Sequence, residues 1–288
     1  MASVSDQPSN IERAFLLDAV AKGVRADGRG PTDLRALRIA CGPTHGLAEV
    51  QLGQTRVLAR VTCTVARPLP DRPTEGLVQV SAELAGLAIP PSPQTTAVEV
   101  EEMAVVSRMV DRVIRQSRAV DTEALCIVAG QKVWSLRLDL RILDHAGNLV
   151  DAAMVAATAA LRHFRRPDVT VDGTDAVIHD PRDRNPVPLS IHHSPVCVSF
   201  AFLGHQPAAA ASAGQEVVLL VDPSRIEEQT MVSRYTVTLN PHREVCALSK
   251  AGGAALPLAL IQRCNQIALV KADEINEKIQ EALKSQQQ

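Results

Sequence analysis

Three groups of residues in this chain have the types and spacing to do chemistry. The first is Asp222-Pro223-Ser224-Arg225-Ile226-Glu227-Glu228, directly after an apolar run. Asp222 and Glu228 are two carboxylates six apart, a spacing that suits a metal ligand pair or a general acid and base. The bland alternative is a helix start, with Asp222 as N-cap and the two glutamates facing the helix dipole. The second group is Arg108, Arg112 and Arg115, at i, i+4 and i+7, with Arg118 just beyond. On a helix they share one face, opposite Val106, Met109, Val110, Val113 and Ile114. A row of guanidinium groups suits a row of phosphates, unless Asp111 and other acids neutralise it. The third is the turn Asp144-His145-Ala146-Gly147-Asn148, between an alternating run and an alanine-rich one. Strand, tight turn and helix is a geometry that holds phosphate on helix N–H groups. This turn has one glycine and no lysine or arginine, so the architecture of an anion site stands without its cation.

Other chemistry finds less support. His192 and His193 are adjacent, so in a strand they point to opposite faces and do not share a metal. Cys41, Cys63, Cys126, Cys197, Cys246 and Cys264 form no CxxC pair and read as reduced core thiols. No Walker loop, GxSxG elbow or zinc-spaced cluster occurs. Neither metal nor cofactor is expected. Aromatics make up only 2% of the chain, which excludes extensive base stacking as a means of reading RNA. With a formal net charge of -2, contact with nucleic acid requires a local basic strip. There is no apolar run of about 18 residues. The N-terminal MASVSDQPSN is unlike a signal peptide. A nuclear or cytosolic address and no membrane are the expectations.

The elements that must position these residues follow from periodicity. A first helix ends near Ala21, and a turn-rich arm follows. Strands are predicted at Leu37–Cys41, Leu47–Leu52, Arg56–Thr64 and Val78–Leu84. Prolines at 90, 91 and 93 precede a helix over Thr96–Ser117. Val133–Leu143 alternates as a strand, and Val150–Leu161 is a small-residue helix. Arg165–Pro188 reads as irregular and holds the expected domain boundary. Strands follow at Val196–Leu203, Val217–Val221, Ser233–Leu239 and Glu244–Ser249. A closing helix over Ala255–Lys284 leads into a polar tail at 285–288. The expected class is α+β, with two successive two-layer halves, each a small mixed sheet with helices on one side. Boundaries are placed at 1–30 for a helix and arm, 31–188 for a first domain and 189–288 for a second.

Several strings then resemble the RNase PH family. Arg25-Ala26-Asp27-Gly28-Arg29 with Asp33-Leu34-Arg35 is similar to its opening signature. Asp121–Ile127, Gly130–Trp134, His163–Val169 and Pro188–His193 narrow the resemblance to the polymyositis/scleroderma autoantigen-type branch of the eukaryotic exosome ring. It covers roughly residues 8–284. The resemblance implies a six-membered ring of RNase PH-like subunits around a channel, with S1/KH-type cap subunits above and an associated processive exoribonuclease receiving single-stranded RNA. It implies action in the nucleus, nucleolus included, and in the cytoplasm. Active relatives cleave RNA from the 3′ end with inorganic phosphate. They carry a Gly-Thr-Arg or Gly-Ser-Arg turn, where Ala146-Gly147-Asn148-Leu149 stands here, and two aspartates spaced as Asp222 and Glu228. Asp222, Glu228, Gly147 and Asn148 are therefore expected to be vestiges of a catalytic site, and the chain is expected to be non-catalytic. Arg108, Arg112 and Arg115 fall where relatives contact the RNA backbone. The competing expectations are an active phosphorolytic exoribonuclease and, more remotely, a metal-dependent small-molecule enzyme using Asp222 and Glu228.

Overall fold

A computed structural model describes residues 8–85, 95–172, 175–204 and 217–285, without the side chains of 95–100, 172 and 175. The proline run at 90–93 and the tail at 286–288 lie outside the described residues. Helix α1 (Asn10–Ala21) opens with a capping box between Ser9 and Glu12. After an extended arm come β1 (Leu37–Cys41), β2 (Leu47–Leu52), β3 (Thr55–Ala66) and β4 (Leu77–Leu84). Helix α2 (Thr95–Gln116), β5 (Cys126–Val128), β6 (Lys132–Asp144) and α3 (Leu149–His163) complete the first half. Its six-stranded sheet has the order β1-β2-β3-β6-β4, with β5 also on β6. Only β4 runs parallel to its neighbour, so the sheet is mixed. Alternation made these strands legible: along β6, Trp134, Leu136, Leu138, Leu140 and Ile142 are buried while Arg137 and Arg141 are exposed.

The stretch read as irregular is a paired excursion. Strands β7 (Arg165–Arg166) and β10 (Val187–Pro188) close its base, and β8 (Val169–Asp172) with β9 (Asp175–Ile178) forms a hairpin within it. Two-residue strands carry too little periodicity to show in sequence. His192 and His193 also lie outside any strand. His192 N–H donates to the Ala119 carbonyl at 2.9 Å, next to a bridge between Val120 and Ile191.

The second half holds β11 (Val196–Leu203), β12 (Val218–Val221), α4 (Arg225–Thr230), β13 (Ser233–Leu239), β14 (Val245–Ser249) and α5 (Leu258–Ser285). Its sheet is antiparallel, in the order β12-β11-β13-β14. The architecture is α+β, with two sheets around one shared core. Helix α3 packs against β2 and β3 on one side and β11 on the other, and every residue from Leu149 to Leu161 is buried. Six alanines in it are fully enclosed; small side chains let two sheets approach one helix closely, whereas larger ones would force them apart. Helix α1 belongs physically to the second half, with Val20 packed beside Ala201, Leu203 and Leu220. All six cysteines are free. No described helix is long and apolar enough to cross a membrane.

Candidate functional site

The arm between α1 and β1 delivers three arginines to the start of α4. Arg25 is 2% exposed. Its Nε and Nη2 meet both oxygens of buried Glu227 at 2.9 and 2.5 Å, while its other donors take the carbonyls of Val221 and Asp222. Arg35 grips the Asp222 carboxylate through Nε at 2.9 Å and Nη2 at 2.7 Å, and its backbone N–H adds a bond at 2.8 Å. Arg29 Nη1 reaches the same carboxylate at 3.1 Å. Asp222 is therefore fully enclosed, at 0% exposure. Burial alone would raise its pKa, but Arg35 outweighs burial and holds the carboxyl below its ordinary value. The N-cap of α4 is Ser224, in a capping box with Glu227, so the alternative that made Asp222 the cap is corrected. Asp222 instead sits in the left-handed region, φ 51°, which turns its side chain back toward the arm.

The turn before α3 is locked from the same side. Gly147 has φ 98°, and a Cβ there would stand 2.4 Å from the Arg225 nitrogen and 2.8 Å from the Pro223 oxygen. Only glycine fits. The Gly147 carbonyl accepts from Thr55 Oγ1 at 2.8 Å and Arg35 Nη2 at 3.1 Å, and the Ala146 carbonyl accepts from Arg35 Nη1 at 3.1 Å and the Arg225 N–H at 3.1 Å. Asn148 occupies the N-cap position with φ 52° and makes no side-chain cap bond. Its amide instead donates to Asp222 at 2.7 Å and to Asp151 at 2.8 Å.

Asp151 is the residue sequence reasoning missed. It is buried, accepts from the Ser199 N–H at 2.8 Å and faces Ser199 Oγ at 2.7 Å. Desolvation pushes its pKa up to about 7, with the hydrogen bonds from Asn148 and Ser199 opposing and the Asp222 charge adding to the rise. Once protonated, it can donate to Ser199 Oγ, which then turns its own hydrogen to Thr236 Oγ1 at 3.1 Å. A lone Asp in an alanine-rich helix was a usable signal, because an unpaired carboxylate is rarely enclosed there.

Asp222 and Glu228 both border the α3 turn at Asn148, Asp222 through the Asn148 side-chain amide and Glu228 beside its backbone N–H. Asp222 is also held from the arm by Arg35 and Arg29. Glu228 faces the α3 turn, forms an ion pair with Arg234, and stands beside the Asn148 backbone N–H. Burial raises its pKa, with Arg234 and the Asn148 N–H opposing. Glu101, Glu102, His145, Glu228 and Arg234 border a cleft of about 270 Å³. Glu102 and His145 stand 3.6 Å apart, and that contact keeps Glu102 below the usual carboxylate range against the opposing effect of burial. Arg225 Nη1 reaches the His145 carbonyl at 3.4 Å. Cations thus enter from α4 and β13, elements remote in sequence from the turn. Among the described residues no group of three or more His, Cys, Asp or Glu is arranged to hold a metal ion.

On α2 the row of arginines is solvent-exposed as expected, with Val106, Val110, Val113 and Ile114 buried behind it. Arg115 is held by both oxygens of Asp111, at 2.8 and 2.7 Å. Arg112 pairs with neutral Gln116 at 3.0 Å, which leaves its charge uncompensated by that contact. The neutralised-face alternative therefore applies to Arg115, whereas Arg112 and Arg108 remain open to solvent.

This combination of fold and site has a family. Residues 33–167 match the profile of domain 1 of the 3′ exoribonuclease family, RNase PH, and residues 193–271 match domain 2. The chain belongs to the RNase PH family, as its opening signature suggested. It is 44% identical to exosome complex component RRP45 of Rattus norvegicus, over 97% of this chain and 61% of that one. It is 42% identical to exosome complex component RRP45A of Arabidopsis thaliana, over 95% of this chain and 86% of the relative. The chain thus spans about three-fifths of the mammalian relatives' length. An Archaeoglobus fulgidus exosome structure with RNA bound to its active site superposes with a TM-score of 0.74 at 30% identity, covering 93% of this chain and 98% of that one.

Proposed function

We propose that this chain is a non-catalytic subunit of the RNase PH-like ring of an RNA exosome, where it scaffolds the core and guides single-stranded RNA. The observation that carries the reading is the acid-lined N-terminus of α3. A phosphate at such a site needs free N–H groups and a cation. Here Glu228 stands beside the Asn148 N–H, and Glu101 and Glu102 border the same cleft. Three acids against Arg234 and Arg225, the latter reaching the His145 carbonyl, make a poor receptor for a phosphate dianion. Asp222, the counterpart of a catalytic aspartate, is consumed by Arg35 and Arg29. The RRP45 relatives and the superposing exosome structures support the ring assignment. The partners that follow are neighbouring RNase PH-like subunits, S1/KH-type caps and a processive exoribonuclease, in the nucleus and cytoplasm.

Arg108 and Arg112 supply the RNA contact, through phosphates and without base readout. The test is phosphate-dependent release of nucleoside diphosphates from single-stranded RNA by the reconstituted ring. No release by this subunit is expected. Arg108→Gln with Arg112→Gln should weaken RNA retention on all sequences alike and flatten the slope of log affinity against log salt by about 1.4, from two lost contacts at about 0.7 each. Release abolished by Glu228→Gln in this chain would overturn the reading.

A further inference from the structure

At the far end of α3, roughly 20 Å from the Asn148 turn by helical rise, lies an open cavity of about 710 Å³ between the two halves. The first half contributes Arg162 and His163 from the last turn of α3, Arg165 just beyond it, and His45 from the β1–β2 turn. The connection into β11 contributes His192 and His193, the β13–β14 turn His242, and the end of α5 Lys284. Neither Asp nor Glu is among its lining residues. In a chain whose net charge is -2, three permanent cations around one acid-free cavity form a local reversal of sign, and five imidazoles line the same space.

A helix C-terminus supplies the bland explanation, because cations there offset the exposed carbonyls. It accounts for Arg165, whose Nη1 donates to the carbonyls of Arg162 and Phe164 at 3.1 Å each. It does not account for Lys284, His242, His192 or His45, which arrive from four other segments. The same capping weakens the main objection to an anion, since the carbonyls of Ala160, Leu161, Arg162 and Phe164 already accept hydrogen bonds. The walls are also prepared. His193 Nε2 donates to the Ser117 carbonyl at 2.8 Å, and its buried Nδ1 has no hydrogen-bond partner. His45 and His163 stack edge to face at 5.4 Å.

We propose that this cavity binds phosphate groups of a multiply phosphorylated ligand, at a site separate from the RNA-facing helix α2. Its volume lies within the range of small-ligand pockets, about 300–1,000 Å³, and Arg162, Arg165 and Lys284 can meet several phosphates at once. The shared chemistry is phosphate; the source is either a soluble polyphosphate or an RNA backbone.

The experiment is titration calorimetry of the full chain with tripolyphosphate and, separately, with a single-stranded oligonucleotide. Each is repeated on Arg162→Gln with Lys284→Gln, on His192→Gln with His242→Gln, and on Arg108→Gln with Arg112→Gln. Matching thermal unfolding of parent and variants establishes that the fold is kept. Tripolyphosphate affinity reduced at least tenfold by either cavity pair, and unchanged by the α2 pair, supports a soluble ligand. Oligonucleotide affinity lost through the cavity pairs supports the RNA backbone as the source. Absence of binding by either probe, or binding that neither cavity pair reduces, overturns the proposal. So does equal competition by a poly-glutamate peptide, which would mean attraction to charge without recognition of phosphate.

Discussion

Asp222→Asn separates a structural role for the aspartate from a catalytic one. Asparagine keeps the shape and tolerates the left-handed backbone at φ 51°, so the substitution removes charge and little else. The carboxylate accepts from the Arg35 backbone, Arg35 Nε and Nη2, Arg29 Nη1 and Asn148 Nδ2, all between 2.7 and 3.1 Å. Removing one partner of a buried ion pair costs about 3–5 kcal/mol. The side chains of Arg35 and Arg29 are 10% and 14% exposed, so water partly rehydrates them, and the low end, about 3 kcal/mol, applies. At roughly 2–4 °C per kcal/mol for a chain near this size, Tm should fall by about 6–12 °C. Far-UV circular dichroism measures this, and limited proteolysis between Arg25 and Arg35 should show the arm released. The sign with pH is set as well. The folded pKa of Asp222 is depressed, so its contribution is present above the ordinary aspartate range and is lost as pH falls through the folded value. The gap between parent and variant should therefore close in acid. A Tm within about 1 °C of the parent at neutral pH would refute the role of Asp222 as the latch of the arm.

Asp151 titrates in the opposite sense. Its folded pKa is raised to about 7, so its stabilising proton is fully effective below the unfolded aspartate value and is lost as pH rises toward 7. Urea unfolding should show the parent losing stability relative to Asp151→Asn between about pH 4 and 7, and a pH-independent difference would contradict a buried proton. Gly147→Ala should destabilise by at least about 2 kcal/mol, because the new Cβ meets backbone atoms at 2.4 and 2.8 Å in a strained conformation; a urea midpoint equal to that of the parent would mean that the turn yields freely.

What the chain discloses on its own is local. Strands such as Leu37–Cys41 and Ser233–Leu239 follow from period-two alternation, and α2 from its apolar stripe, because side chains three and four apart must share a face. The family follows from contiguous strings such as Arg25–Arg29 and Pro188–His193. The turn without its cation is legible too, since it is five consecutive residues. The rest depends on distance along the chain. Arg35 and Asp222 are 187 residues apart and Arg25 and Glu227 are 202 apart, so no window of sequence pairs them. Spacing alone left the acid pair six apart open between a helix cap and a pair able to do chemistry; only the tertiary structure gives Asp222 its arginines from the arm and Glu228 its ion pair with Arg234. The paired excursion between Arg165 and Pro188 escaped for a related reason, since strands of two to four residues are too short to establish a period. Helix α3 is the clearest case. Its alanines announce close packing, but only tertiary structure decides that two sheets press on it from opposite sides. That double contact takes Asp151 out of water, and desolvation then raises its pKa to about 7, far above where the sequence alone would put it.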